Sequence, residues 1–251
     1  MRTGPDIVKI VSFSGIDGAG KSTQICSLQT WLAEVGVSVK LLTFWDDVVV
    51  LPRFREFISH AAFNGDQGIG TPEQPLQRRD KNVTSWLVSA IRFGLYLADA
   101  LSLCRANRRV RKSGADIVIF DRYIYDELAN LPLNRWLVRL FIRFVRRLVP
   151  QPDIAYLIDA DPVAALARKP EYPLEFLRSN REAYLTLSRL IDNITVIEPF
   201  SVAAMGRKIR NVFIQKMSAS ERAFSGQPAL DHVRNTFLTI AESTDTSSVS
   251  T

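Results

Sequence analysis

The sequence predicts an α/β fold in which a parallel β-sheet carries helices on both faces. Three observations point to it. Short, mostly apolar runs at residues 7–14, 37–44, 117–120, 154–158 and 195–197 read as buried strands. Helical patterns separate these runs, as the crossover connections of a parallel sheet require. The first run opens directly into a glycine-rich loop followed by an amphipathic helix.

In chain order, a helix spans about 22–35, with Ile25, Leu28, Leu32 and Val35 on one face and Gly36 as its stop. The run at 37–44 is a second buried strand. Residues 64–82 are rich in Gly, Pro, Gln and charge and read as a long loop, a length that is usually functional in a compact domain. A long helix at 86–110 closes at Ser113-Gly114, ahead of the strand at 117–120. In the helix at 135–149, Trp136, Leu137, Leu140, Phe141, Phe144, Val145 and Leu148 share one face, with Arg139, Arg143, Arg146 and Arg147 largely elsewhere. That face reads as a packing or dimer surface in preference to a membrane-binding one. Asp161-Pro162 opens a further helix, with Asp as its cap and Pro in its first position. One domain therefore covers 1–215. An extension at 216–251 adds a peripheral helix at 227–241 and a disordered Ser/Thr tail at 243–251.

The chain has 251 residues, of which 47% are hydrophobic, enough for a real core. Two cysteines, Cys26 and Cys104, build neither a disulfide framework nor a zinc ligand set. No signal-peptide pattern leads the chain, and a reducing cytoplasm is the expected compartment. The net charge of +6 is spread over many segments. Its densest run, at 105–112, reads as the solvated end of a helix, so nucleic acid is not an expected partner. His60 and His232 stand alone and receive no catalytic role.

Gly15-Ile16-Asp17-Gly18-Ala19-Gly20-Lys21-Ser22, followed by Thr23, has the spacing of a phosphate-binding P-loop between strand and helix. Glycines let backbone N–H groups face phosphate oxygens, and the helix that follows aims its positive pole at the same anion. Lys21 is expected on the β and γ phosphates of ATP, and Ser22 on Mg2+. Asp121 ends an apolar run as a Walker-B carboxylate does and is the second expected Mg2+ ligand. Arg122 falls at the carboxyl end of the same strand, where ligands bind in such sheets, and suits a phosphate.

Three blocks together resemble the thymidylate kinase family. They are residues 13–23, then Val118-Ile119-Phe120-Asp121-Arg122-Tyr123, then Leu157-Ile158-Asp159-Ala160-Asp161-Pro162 with Arg168, Glu175-Phe176-Leu177 and Arg181-Glu182-Ala183-Tyr184. The resemblance implies a five-stranded parallel sheet of the nucleoside-monophosphate-kinase type. It also implies transfer of the γ-phosphoryl group of ATP to a monophosphate, dTMP to dTDP foremost, in a homodimer. Asp17 would lie near the acceptor sugar and Arg122 would hold the acceptor phosphate, with Tyr123 beside it. Residues 161–181 would include a lid. Gly18 and Ala19 carry no charge, so the catalytic cation is expected from that lid. Arg168 and Lys169 come first, then Arg178 and Arg181.

Two departures fall on the acceptor side. The family pattern Thr-Arg-Glu-Pro-Gly is replaced by Thr43-Phe44-Trp45-Asp46-Asp47. The arginine expected beside Ala98-Asp99 is absent, and Arg92 is the nearest candidate. Asp46 or Asp47 could serve as the base of a nucleoside or other hydroxyl kinase, or cap the next segment, or bind magnesium. A catalytically inactive nucleotide-binding module is the third reading.

Overall fold

A computed structural model of the protein describes residues 8–50 and 86–223. The loop expected at 64–82, the helix at 227–241 and the tail at 243–251 lie outside the described residues. Strands β1 (Lys9–Ser14), β2 (Val39–Thr43), β3 (Ile117–Asp121), β4 (Ile154–Ile158) and β5 (Ile194–Ile197) form one parallel sheet in the order β2-β3-β1-β4-β5. β1, β3 and β4 hide nearly every residue although successive side chains point to opposite faces, so both faces are covered. Helices α1 (Lys21–Glu34) and α7 (Val202–Ala223) pack on each other and on the sheet. α6 (Leu174–Leu190) packs on β5 and on the short α3 (Ile124–Ala129). α2 (Trp86–Val110) packs on α3 and on α4 (Trp136–Leu148), while α5 (Pro162–Arg168) leads into α6.

The register sets up the crevice. Phe13 pairs with Asp121 across β1 and β3, and the Arg122 N–H donates to the Phe13 carbonyl at 2.9 Å. The end of β1 and the turn after β3 are thus locked side by side. α1 buries Gln24, Ile25, Leu28 and Leu32, a stripe at helical spacing. It ends as the sequence predicts: Gly36, at φ 77°, donates to Ala33, and Val37 donates to Leu32, the double bond of a Schellman cap. Asp161 likewise caps α5, accepting from the Ala164 N–H at 3.1 Å with Pro162 next to it.

α7 runs through residue 215 and buries Met217. Two expectations need correction. β2 is an edge strand, not a buried one: Lys40 and Leu41 are exposed, because only β3 flanks it. On α4 the buried residues are Val138, Ile142 and Val145, whereas Trp136, Leu137, Leu140 and Phe144 face outward, Trp136 with 71% of its surface exposed. Of the two readings of that face, packing within the described residues does not hold for these four. The helix is apolar on two sides, and the aromatic residues dominate the pattern without marking the core side. Among the described residues no helix is long and apolar enough to cross a membrane.

This orientation is testable by urea unfolding. Ile142→Ala should cost about 2–5 kcal/mol, the range for a truncated core side chain. Leu140→Ala, on the exposed face, should stay within about 0.5 kcal/mol of the parent. Equal losses at the two positions would place the core side of α4 wrongly.

Candidate active site

The loop between β1 and α1 is shaped by glycines at positive φ: Gly15 at 144°, Gly18 at 77° and Gly20 at 90°. Two of them also sit too close to other backbone for a side chain. A Cβ on Gly15 would lie 2.5 Å from the carbonyl oxygen of Ile158, and one on Gly18 would lie 2.4 Å from that of Ala165 in α5. Gly20 caps α1 without any side-chain bond, so the first amides of the helix are left for a ligand. Ile16 and Ala19 are buried, while Ser22 and Thr23 are exposed on the first turn of α1.

Lys21 folds back over this loop. Its Nζ donates to the carbonyls of Gly15 at 3.0 Å and Ile16 at 2.9 Å. Burial lowers its pKa to about 8, with Arg122 pushing the same way and Asp17, Asp126 and Asp121 opposing. Asp121, at the end of β3, has its Oδ1 buried with no hydrogen-bond partner among the described residues. Burial raises its carboxyl above the usual range, against the pull of Lys21 and Arg122.

Arg122 follows at φ 68°, a left-handed conformation that a non-glycine residue adopts only when its surroundings hold it. Its guanidinium is gripped on two sides, by Asp17 of the loop through NH2 and by Asp126 through NH1 at 3.0 Å. Burial works against its charge, but Asp126, Tyr184 and Asp17 outweigh that and raise its pKa. Both charge partners of Arg122 thus come from the chain itself. Asp126 was not foreseen at all. Its signal was local: a carboxylate four residues after Arg122, at the third position of a short helix.

The other expected residues divide. Arg168 reaches the phosphate loop, its Nε donating to the Gly18 carbonyl at 2.8 Å. Lys169 pairs instead with Glu171, and Arg178 with Glu175. Arg181 makes a two-pronged bridge to Asp159 beyond β4, at 2.7 Å for each bond. Tyr123 does not enter the crevice: its ring is fully buried and its hydroxyl donates to the Pro150 carbonyl. Arg92 lies on α2, and its side chain is outside the described residues. Asp46 and Asp47 are exposed in a single π-helical turn, Phe44–Val48. Asp47 accepts from the Thr43 N–H at 2.7 Å, which is the capping role. The Asp99 carboxylate is buried on α2 and accepts from the Val50 N–H at 2.8 Å.

Among the described residues no group of three or more His, Cys, Asp or Glu could hold a metal. Mg2+ at phosphoryl-transfer sites needs only one or two protein oxygens beside the phosphates. The orphaned buried Oδ1 of Asp121 and the exposed Ser22 hydroxyl fit that requirement.

Fold and loop together define a nucleotide-kinase-like enzyme of the P-loop class. No family model matches the chain. A probable thymidylate kinase of Pyrobaculum aerophilum is 31% identical over 185 residues, covering 70% of this chain and 80% of the relative. One of Methanosphaera stadtmanae is 28% identical over 192 residues, covering 75% and 88%. A thymidylate kinase crystal structure from Ehrlichia chaffeensis aligns with 82% of this chain and 98% of its own, at a TM-score of 0.52 and 19% identity, a likeness of fold. The chain belongs to the thymidylate kinase family.

The depressed lysine yields a pH test. Between about pH 8 and 10.5 the unfolded chain keeps a proton on Lys21 that the folded chain has released, so folding stability rises with pH. Lys21→Met should abolish this rise. Denaturant midpoints of ligand-free parent and variant at pH 7.5, 8.5 and 9.5 should converge as pH increases. Parallel curves would mean that Lys21 titrates normally.

Proposed function

We propose that the chain transfers the γ-phosphoryl group of ATP to a nucleoside monophosphate, with dTMP as the preferred acceptor. The observation that carries this is the placement of Lys21 and Arg122 at the carboxyl ends of adjacent strands, one within the phosphate loop and one beyond it. The loop amides and Lys21 hold the phosphates of ATP, the Nζ exchanging its two carbonyl acceptors for phosphate oxygens. That contact restores a full positive charge on an amine which burial holds near its titration point. Arg122 receives the phosphate of the acceptor, and Asp17, its neighbour, faces the acceptor sugar. Arg168, seated on Gly18, supplies the positive charge that Gly18 and Ala19 lack. Ser22 and Asp121 would hold Mg2+, which would supply charge neutralisation at the phosphates when bound with the nucleotide.

A monophosphate oxygen is already anionic and needs no strong base. Of the two residues offered as a base for a hydroxyl acceptor, Asp47 is committed to the Thr43 amide. The names of the relatives support thymidylate within the class of monophosphates.

Incubation with ATP and Mg2+ against a panel of monophosphates and nucleosides tests the acceptor. Turnover of dTMP and not of thymidine is expected, and the reverse result would replace this reading with a nucleoside kinase. Lys21→Ala should abolish transfer in a folded chain. Arg168→Ala should remove roughly 3–5 kcal/mol of transition-state stabilisation while ATP binding changes little. Full turnover after loss of both Arg168 and Lys169 would place the catalytic cation elsewhere.

A further inference from the structure

The carboxylate of Asp126 accepts four hydrogen bonds. It lies behind Arg122 and away from solvent, with 2% of its side chain exposed. Oδ1 accepts from Arg122 NH1 at 3.0 Å and from the Tyr184 hydroxyl at 2.7 Å. Oδ2 accepts from the Ser14 hydroxyl at 2.6 Å and from the Tyr123 N–H at 3.1 Å. An ionised carboxylate offers about four acceptor positions, and here each is taken. The four donors come from the end of β1, from the turn after β3 and from α6.

Asp17, the other partner of Arg122, is different in kind. It sits on the phosphate loop with 24% of its side chain exposed, open to exchange for a ligand anion. Asp126 cannot exchange, because moving it would strand four donors at once. We infer that Asp126 is a positioning residue for the acceptor phosphate: it fixes the Arg122 guanidinium in its left-handed turn while Asp17 is the partner a phosphate can replace. This rests on the proposed role of Arg122. An asparagine of the same shape could not substitute. Its single oxygen would serve one pair of donors, and its amide would face either the guanidinium or the Tyr123 N–H, neither of which can accept.

Steady-state kinetics of the full chain with ATP, Mg2+ and dTMP test this. Asp126→Asn should raise KM for dTMP at least about tenfold and leave KM for ATP within about threefold, because the bonds of Asp126 go to Ser14, Arg122, Tyr123 and Tyr184 and not to loop residues 15–22. In an Arg122→Ala background the same change should shift KM for dTMP by less than about threefold, since the group it positions is gone. An unchanged KM for dTMP overturns the inference, as does a parallel rise in both KM values or effects that multiply in the double variant. Thermal melts of the ligand-free chain keep the test open if Asp126→Asn does not fold. Arg122→Ala alone should lower Tm by roughly 5 °C or more, because it strands a buried carboxylate. An unchanged or higher Tm shows that Asp126 does not depend on Arg122 and overturns the clamp. A parent chain that turns over no monophosphate overturns the proposed function and this inference with it, whereas turnover with an indifferent Asp126→Asn overturns the inference alone.

Discussion

Close approach of backbone to backbone at Gly15 and Gly18 governs the geometry of the crevice. The Ile158 carbonyl at the end of β4 and the Ala165 carbonyl in α5 both press against positions where no Cβ exists. That contact ties the phosphate loop to two elements far away in sequence. It also shapes the loop so that the carbonyls of Gly15 and Ile16 turn toward Lys21, and it brings α5 near enough for Arg168 to reach Gly18. A methyl group at Gly15 would force the loop away from the end of β4, and one at Gly18 would force it away from α5.

The crevice also has an electrostatic economy. Lys21 and Arg122 are surrounded by Asp17, Asp121 and Asp126, so two cations face three carboxylates. Only part of that charge is fully paired. Arg122 and Asp126 satisfy each other in a dry setting, which rigidifies them. Lys21 is bonded to neutral carbonyls, and one oxygen of Asp121 has no hydrogen-bond partner among the described residues. Lys21 and Asp121, proposed to meet the phosphates of ATP and Mg2+, are the under-satisfied groups, while Arg122 is paired on two sides.

Much of this was legible in the sequence because periodicity and glycine spacing are local signals. The strand runs, the long α2, the Gly36 cap and the Asp161-Pro162 helix start all follow from residues close together in the chain. What stayed hidden depends on neighbours brought in by the fold. β2 looks like its buried sister strands, and only its place in the strand order exposes Lys40 and Leu41. The aromatic face of α4 outweighed Val138 and Ile142 in the pattern, although the smaller residues meet the core. Tyr123 is adjacent to Arg122 in sequence, but extended backbone at the start of α3 sends its ring to the opposite side, toward Pro150. Asp159, the partner of Arg181, and Asp17, one partner of Arg122, lie far off in the chain, and no spacing rule announces them.

α6 is fastened to the sheet at two points one turn apart. Arg181 grips Asp159 beyond β4, and Tyr184 grips Asp126 beyond β3. α5, by contrast, meets the loop through the buried Ala165, whose carbonyl packs against Gly18, and through an exposed bond from Arg168 to Gly18. An exposed neutral acceptor bond of that sort is worth about 1 kcal/mol, whereas freeing a buried carboxylate from its donors costs several times more. Any opening of the segment between β4 and α6 therefore has its axis near the link from Lys169 to Pro173, where α5 ends and α6 begins. α5 is short, about 10 Å of helix at 1.5 Å per residue. Movement about that link would carry Ala165 and Arg168 away from Gly18 while the bonds of Arg181 and Tyr184 stay in place.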